Sequence, residues 1–497
     1  MTGTVAQNAG LRVLMDTNII VAIEGDSEAQ HVNNNAASSV HRLVLAAGGH
    51  VSIIANQLDD FSRIRDKELQ QRRRRQLNKY HRLERLPLPA EFLSAAGYAP
   101  GINVRSNDGV DAALLLAIER NAASWLISED RKLHSHARRL GLQDRVMGLE
   151  DALGALSALS GGLPLHYTVD VAEPHTVDPA QPFFESLANN YPGFLNWWHD
   201  KVVAQQRTCL LIGRGDDIRG LAVLHRQPPE ISGLSDNTIK ICTFKINEEN
   251  QGKKLGESLL EAVIVHIRAK GADACFIEVS PKQEALLALL KEFGFFNLGV
   301  KPGHESDLVL GKILNPEADG PAPTDPLDFN RRYGPGRRLV HRAFVVPILP
   351  SYHGMLFPAS EAQRSLFDST YGNAVRKVYI CHSPMKTLRA GDTLFFLRTH
   401  ERQAVHAVGV VEDAVRTSDL AEVLSFAGAR TVYSVEQLKE MCRKDLLAIK
   451  FRLDQVLEQP VTREELRMLG VFEDSPQSIA QIRSEEGMKW ATSLQDV

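Results

Sequence analysis

Cysteine is scarce and scattered in this chain. The five present, Cys209, Cys242, Cys275, Cys381 and Cys442, are far apart, and no two form a CxxC pair. That argues against a disulfide framework or a zinc site and fits a reducing cytoplasm. Long apolar runs are missing as well: none approaches the roughly 18 residues needed to span a bilayer, so no membrane partner is expected. The first ten residues, MTGTVAQNAG, lack the basic and apolar regions of a signal peptide. A net charge of −4 excludes a chain that is basic throughout, which leaves any nucleic-acid contact to local patches. No internal repeat is present. What remains is ordinary globular composition, 43% hydrophobic and 24% charged, over 497 residues. That length is too great for one core and predicts two to four domains.

The most informative stretch is Leu11-Arg-Val-Leu-Met-Asp-Thr-Asn-Ile-Ile20. Its apolar run, Val13 to Met15, reads as a buried parallel strand that delivers Asp16 to the strand's carboxyl end. Open α/β sheets bind ligands there. A capping role for Asp16 is the alternative. Further acids follow in the same rhythm. A second strand, His50 to Ala55, leads to Leu58-Asp-Asp-Phe61. Asn107-Asp-Gly-Val-Asp-Ala112 opens an apolar helix on which Asp108 and Asp111 share a face. Ala123 to Asp130 is another strand ending in a carboxylate. Carboxylates gathered in this way raise one another's pKa unless a cation neutralises them, and hard oxygen ligands suit Mg²⁺ or Mn²⁺. Between these motifs, residues 63 to 85 read as one long polar helix carrying Arg72, Arg73, Arg74 and Arg75. Such a run is either a solvated face or a grip on a polyanion.

The order of acids resembles the PIN-domain family of metal-dependent ribonucleases, over roughly residues 11 to 150. The resemblance implies that Asp16, Asp108 and Asp130 bind the metal directly and that Asp111 assists. The family's second acid is usually Glu. Here it is Asp, and Asp60 is preferred to Asp59 because it directly precedes the apolar Phe61.

Ser160-Gly-Gly-Leu-Pro164 marks a break. Strands are predicted at 208–212, 220–225, 238–246 and 274–279. Between the last two, Asn250-Gln-Gly-Lys-Lys-Leu-Gly-Glu-Ser-Leu-Leu260 is a glycine-bearing turn opening an amphipathic helix that runs to Ala269. Backbone N–H groups at such a helix start suit an anionic phosphate. With Glu284 to Phe293 and Gly294-Phe295 beyond, this looks like the GNAT acyltransferase family. Its pyrophosphate motif reads here as Gln251, Gly252, Lys253, Lys254, Leu255 and Gly256, which implies acetyl-CoA as cofactor. The sequence departs from the family at Lys254, which replaces a glycine, and at Gln283 and Leu290, which take the Asn and Tyr positions. Leucine cannot donate a proton.

Asn315 to Pro326 carries four prolines and reads as a linker. The basic, aromatic Phe329-Asn-Arg-Arg-Tyr-Gly-Pro-Gly-Arg-Arg338 follows. Arg331 and Arg332 there either grip single-stranded RNA or belong to a solvated tether. Strands are predicted from Arg342, Lys377 and Ala404, a helix over 360–368, and a peripheral helix with a loose end in the tail. Ala390-Gly-Asp-Thr-Leu-Phe-Phe396 and Ala407-Val-Gly-Val-Val-Glu-Asp413 are similar to the ASCH/EVE branch of the PUA-like superfamily, which implies an RNA partner.

The expected fold class is therefore α/β in three modules. These are a PIN-like parallel α/β sandwich over 1–158, a GNAT-like α+β fold over 163–314 and a C-terminal PUA-like β-barrel with helices over 341–497, the last two joined by a Pro/Arg-rich linker over 315–340. The leading functional expectation is a cytoplasmic Mg²⁺- or Mn²⁺-dependent endoribonuclease acting through Asp16, Asp60, Asp108, Asp111 and Asp130. Its substrate would be tRNA, mRNA or rRNA. By family analogy alone it would be a toxin restrained by an antitoxin protein, and a homo-oligomer is compatible with this. One alternative is an acetyltransferase that modifies RNA, aminoacyl-tRNA or protein, with a PIN module that only binds. Another is a non-enzymatic RNA-binding regulator.

Overall fold

The structure is a computed structural model that describes residues 10–24, 33–62, 64–161, 168–213, 215, 217–247, 254–302, 307–357, 375–400 and 403–494. It is a mixed α/β chain with three sheets, in line with the expected fold class.

The first sheet holds β1 Arg12–Met15, β2 His50–Ile54, β3 His81–Leu83, β4 Trp125–Ile127 and β5 Val146–Met147, in the order β3-β2-β1-β4-β5. All neighbours pair parallel. Val13, Leu14, Met15, Trp125, Leu126 and Ile127 are buried, as strands covered on both faces must be. The strand order reverses between β1 and β4, so the carboxyl ends of these two strands flank a switch point, where a doubly wound sheet leaves a crevice.

The second sheet is β6 Val169–Ala172, β7 Thr208–Ile212, β8 Gly220–Arg226, β9 Thr238–Ile246, β10 Ala274–Val279, β11 Phe296–Val300 and β12 Leu308–Ile313. Its order is β11-β12-β10-β9-β8-β7-β6. Only β9 and β10 pair parallel; the other pairs are antiparallel. The helix Leu255–Ala269 covers one face with Leu259, Leu260, Val263, Ile264 and Ile267. Phe183, Phe184, Phe194 and Trp198 pack against Leu221 and Val223 on the other. The third sheet is β13 Ala343–Ile348, β14 Arg376–Cys381, β15 Thr393–Arg398, β16 Ala404–Thr417, β17 Leu446–Thr462 and β18 Ala480–Gln481, in the order β14-β17-β16-β15-β13-β18.

Two expectations need correction. The arginine-rich stretch is not one helix over 63–85. Asp66 caps a new helix, Lys67–Leu77, by accepting the N–H groups of Glu68 and Leu69, and the chain then turns into β3. Lys79, Arg82 and Arg85 therefore leave the helix. Nor is 315–340 an unstructured linker: Pro326–Tyr333 is a helix capped by Asp325, and Arg338 beyond it is fully buried against Asp454 at 2.6 Å. That aspartate also accepts from Asn330, so the polar residues here hold the segment in place. The helix expected over 360–368 lies outside the described residues.

The chain divides into two compact units. One comprises 1–164, 378–382 and 415–448; the other comprises 165–377, 383–414 and 449–497. In the first unit, the later segments 378–382 and 415–448 complete the N-terminal core. Trp125 Nε1 donates to the Leu424 carbonyl at 3.1 Å, and Arg430 pairs with Asp144 at 3.0 Å with both side chains almost wholly buried. Removing one partner of such a pair strands a charge in a medium that cannot solvate it, at a cost of about 3–5 kcal/mol. Arg430→Met is therefore expected to weaken the first unit by that amount, and Arg430→Met with Asp144→Leu to recover most of it. Urea denaturation of the two variants beside the parent checks this.

Candidate functional site

The carboxyl end of the first sheet gathers acids by ordinary strand–turn–helix geometry. Asp16 leaves β1 and stands at the N-cap of the helix Thr17–Ile23, but its side chain makes no cap hydrogen bond. It accepts instead from the Ser128 hydroxyl at 2.7 Å, across from the end of β4, while its own N–H donates to the Ile127 carbonyl at 2.9 Å. Burial pushes the Asp16 carboxyl up to about 6 against the help of Ser128, and Asp60 and Asp130 add to the rise. Asp60, in the short helix Leu58–Ser62 after β2, accepts from the Thr17 hydroxyl at 2.7 Å. Asp59 turns to Arg85 at 2.7 Å, so it is Asp60 that joins the cluster.

Ser106 caps the helix Asn107–Glu119 by accepting the Gly109 N–H, which places Asp108 and Asp111 in its first turn and a half. Asp111 responds most strongly to its surroundings. Burial, followed by Asp16, Asp130, Asp60 and Asp108, pushes its carboxyl up to about 8. Asp108 is drawn to Lys132 at 2.7 Å. Asp130 caps the helix Arg131–Arg139, accepting the N–H groups of Lys132 and Leu133.

Five carboxylates in mutual repulsion present the donor chemistry of a hard divalent cation. Each expected metal ligand, however, holds a partner within the chain: Asp16 holds Ser128, Asp108 holds Lys132 and Asp130 holds backbone amides. Among the described residues, no group of three or more His, Cys, Asp or Glu side chains is arranged to hold a metal ion. The fit is therefore chemical, and the side chains stand short of a converged coordination shell. Three contributors went unrecognised in the sequence. Thr17 and Ser128 sit inside the quoted motifs as unassigned hydroxyls. Tyr98, whose phenol burial and then Asp111 push upward, comes from a stretch with no motif at all.

The second candidate site lies where β9 and β10 part. They pair parallel from Thr238 with Ala274 to Ile241 with Ile277. Beyond that point β9 continues along β8 to Ile246, and β10 along β12 to Val279. Strands that part in this way leave backbone groups facing a wedge where an extended ligand can pair. Next to it the helix Leu255–Ala269 begins at Lys254, whose backbone is left-handed at φ +56° and whose side chain gives no cap bond. Lysine thus adopts the conformation for which glycine is suited. Gly256 packs closely, since a Cβ there would stand 3.2 Å from Leu289. Gln251, Gly252 and Lys253 lie outside the described residues. Leu290 is fully buried in the core, so no proton donor stands there.

Of the predicted nucleic-acid contacts, Arg72, Arg74 and Arg75 are exposed, while Arg73 turns inward and is only 6% exposed. Arg331 meets Asp328 at 3.4 Å and Arg332 meets Asp319 at 2.7 Å, so both face acids of their own chain.

Residues 173–295 match the model of the Acetyltransferase (GNAT) family. Among solved structures, the chain is similar to a mutant ASCH protein from Zymomonas mobilis, with 15% identity, 30% of this chain, 95% of that chain and a TM-score of 0.24. It is also similar to an IAA acetyltransferase from Bacillus cereus, with 16% identity, 30% and 100% coverage and a TM-score of 0.24. A third is an N-acetyltransferase from Staphylococcus aureus, with 15% identity, 30% and 98% coverage and a TM-score of 0.24. No curated protein matches the chain. Among the described residues no helix is long and apolar enough to cross a membrane.

The acid cluster predicts a stability slope. The Asp111 carboxyl has an ordinary value of 3.8 and rises to about 8 in the folded chain. As pH climbs from about 4 to about 8 the unfolded chain sheds this proton and the folded chain keeps it, so stability falls across that window. Asp111→Asn is expected to flatten the fall and to melt at a higher temperature than the parent near pH 8 in EDTA. Thermal unfolding of both proteins from pH 5 to pH 8 measures it.

Proposed function

We propose that the middle of the chain is an acetyl-CoA-dependent acyltransferase. The observation that carries this reading is the wedge between β9 and β10 beside the left-handed start of the helix Leu255–Ala269, within the segment matched by the GNAT model. The N–H groups of Glu257 and Ser258 turn back to the Lys254 carbonyl, and the positive end of the helix dipole at this start suits a pyrophosphate. When bound, acetyl-CoA would supply the thioester to be cleaved. Leu290 cannot protonate the departing sulfur. His225 on β8, whose ring burial and then Arg207 and Lys240 hold below its ordinary value, is neutral at pH 7 and able to take a proton from an incoming amine. Titration of the full chain with acetyl-CoA in a calorimeter, followed by release of free thiol in the presence of amines, tests the reading. Saturable binding and amine-dependent thiol release are expected, and an absence of both rejects it.

The acid cluster favours a second activity, metal-dependent cleavage of RNA. In this reading Asp16, Asp60, Asp108 and Asp130, with Asp111 assisting, would have to draw together to hold Mg²⁺ or Mn²⁺, which would supply an activated water. The exposed Arg72, Arg74 and Arg75 would attract the polyanion. A cytoplasmic setting, an antitoxin and self-association belong to this reading as proposals. Total cellular RNA incubated with the protein and Mn²⁺ is expected to yield fragments that disappear in EDTA and in Asp16→Asn. RNA that stays intact under every metal removes this activity.

A further inference from the structure

The sheet face opposite the helix Leu255–Ala269 carries charge that the acyltransferase reading does not yet use. Strand alternation decides which residues stand there. On β9, Ile239 and Ile241 enter the core beneath the helix, which leaves Lys240 and Cys242 on the other face. On β10, Cys275, Ile277 and Val279 take the helix side and leave Phe276 and Glu278. On β8, His225 is in register with Lys240. Arg207, just before β7, reaches across and donates from Nη1 to Cys242 Sγ at 3.3 Å, with its guanidinium 5.9 Å from the centre of the Trp197 ring.

This face is imbalanced. Glu278 receives Lys240 at 2.6 Å and Lys301 at 2.8 Å, and those two contacts pull its carboxyl below the ordinary range despite its burial. Three cations, Arg207, Lys240 and Lys301, face one carboxylate, which leaves two positive charges over. Among the described residues, no carboxylate pairs with Arg207; its Nε and Nη2 bond only to the Gln205 amide oxygen. All of these side chains are half-buried. The hydrogen bonds of Arg207 are met within the chain, but its charge is not, and a guanidinium so placed can bind an anion by charge-assisted hydrogen bonds. The group lies at the level where β9 and β10 part, because Cys242 directly follows the last paired residue of β9 and Glu278 the last of β10.

We propose that the acceptor of this acyltransferase is a small amine that itself carries a carboxylate or a phosphate, the anion being seated by Arg207 with Lys240 and Lys301. The proposal rests on the acyltransferase reading of the same module and names its substrate class. In the transfer, the neutral amine nitrogen bonds to the thioester carbonyl carbon and the carbon–sulfur bond breaks. The sulfur keeps the bonding pair, one amine proton passes to His225, and that proton or one from water ends on the thiolate. The products are an amide and coenzyme A.

The test uses the full chain, acetyl-CoA and matched pairs of amines: 4-aminobutyrate against 4-aminobutanamide, and O-phosphoethanolamine against ethanolamine. The anionic member of at least one pair is expected to give a kcat/KM higher by about tenfold or more, the scale of one charge-assisted hydrogen bond. The pair that shows the effect distinguishes carboxylate from phosphate. Arg207→Gln is expected to raise KM for the anionic amine and erase the preference while acetyl-CoA still binds. Lys301→Gln, at a more exposed position, gives a smaller loss and guards against an Arg207 variant that fails to fold. Equal or better turnover of the neutral amines, or a preference that survives both substitutions, overturns the proposal while leaving acyl transfer standing. Failure of the parent to bind acetyl-CoA in the calorimeter overturns the acyltransferase reading itself, and this inference with it.

Discussion

A charge taken out of water must find its opposite, and this chain meets that requirement repeatedly to hold distant segments together. Arg430 and Asp144 tie residues nearly three hundred positions apart into one core. Arg338 and Asp454 do the same in the other unit, with Asn330 sharing the carboxylate. Lys312, fully buried, pairs with no acid among the described residues, and its Nζ is met by the carbonyls of Phe293 and Arg332 at 2.6 and 2.8 Å; burial drops its ammonium to about 7. Each arrangement adds little net stability over a well-packed apolar substitute, but each punishes any alternative pairing. What they supply is register.

Against that background the two candidate sites are the places where the balance is left open. At the end of the first sheet there is an excess of carboxylates, and burial together with its acidic neighbours pushes the Asp111 carboxyl up to about 8. On the open face of the second sheet there is an excess of cations around Cys242 and Glu278.

The strand and helix skeleton was readable because periodicity is a local property. The strands 238–246 and 274–279 and the end of the helix at Ala269 coincide with the sequence expectation, since apolar spacing alone determines them. The preference for Asp60 over Asp59 rested on the neighbouring Phe61, which is buried in the fold, while Asp59 pairs with Arg85. What could not be read was long-range. No local pattern announces that Asp66 will cap a fresh helix within a run of arginines. Nor does any local pattern show that Arg338, in a segment rich in proline and glycine, will find Asp454 over a hundred residues later. The basic face could not be assembled from sequence, because Arg207, just before β7, meets His225, Lys240 and Glu278 on three separate strands only when strand order is known.

The hydrogen bond from Trp125 to the Leu424 carbonyl bears on how this protein came to exist. A segment ending near residue 158 would, if produced by itself, lack the strip 415–448, and with it the Leu424 carbonyl that accepts from Trp125 and the Arg430 guanidinium that pairs with Asp144. The N-terminal third is thus an incomplete body that borrows its last wall from the far end of the chain. Parts joined in this way are inherited, expressed and degraded together, and neither can be exchanged for a homologue without refitting the seam.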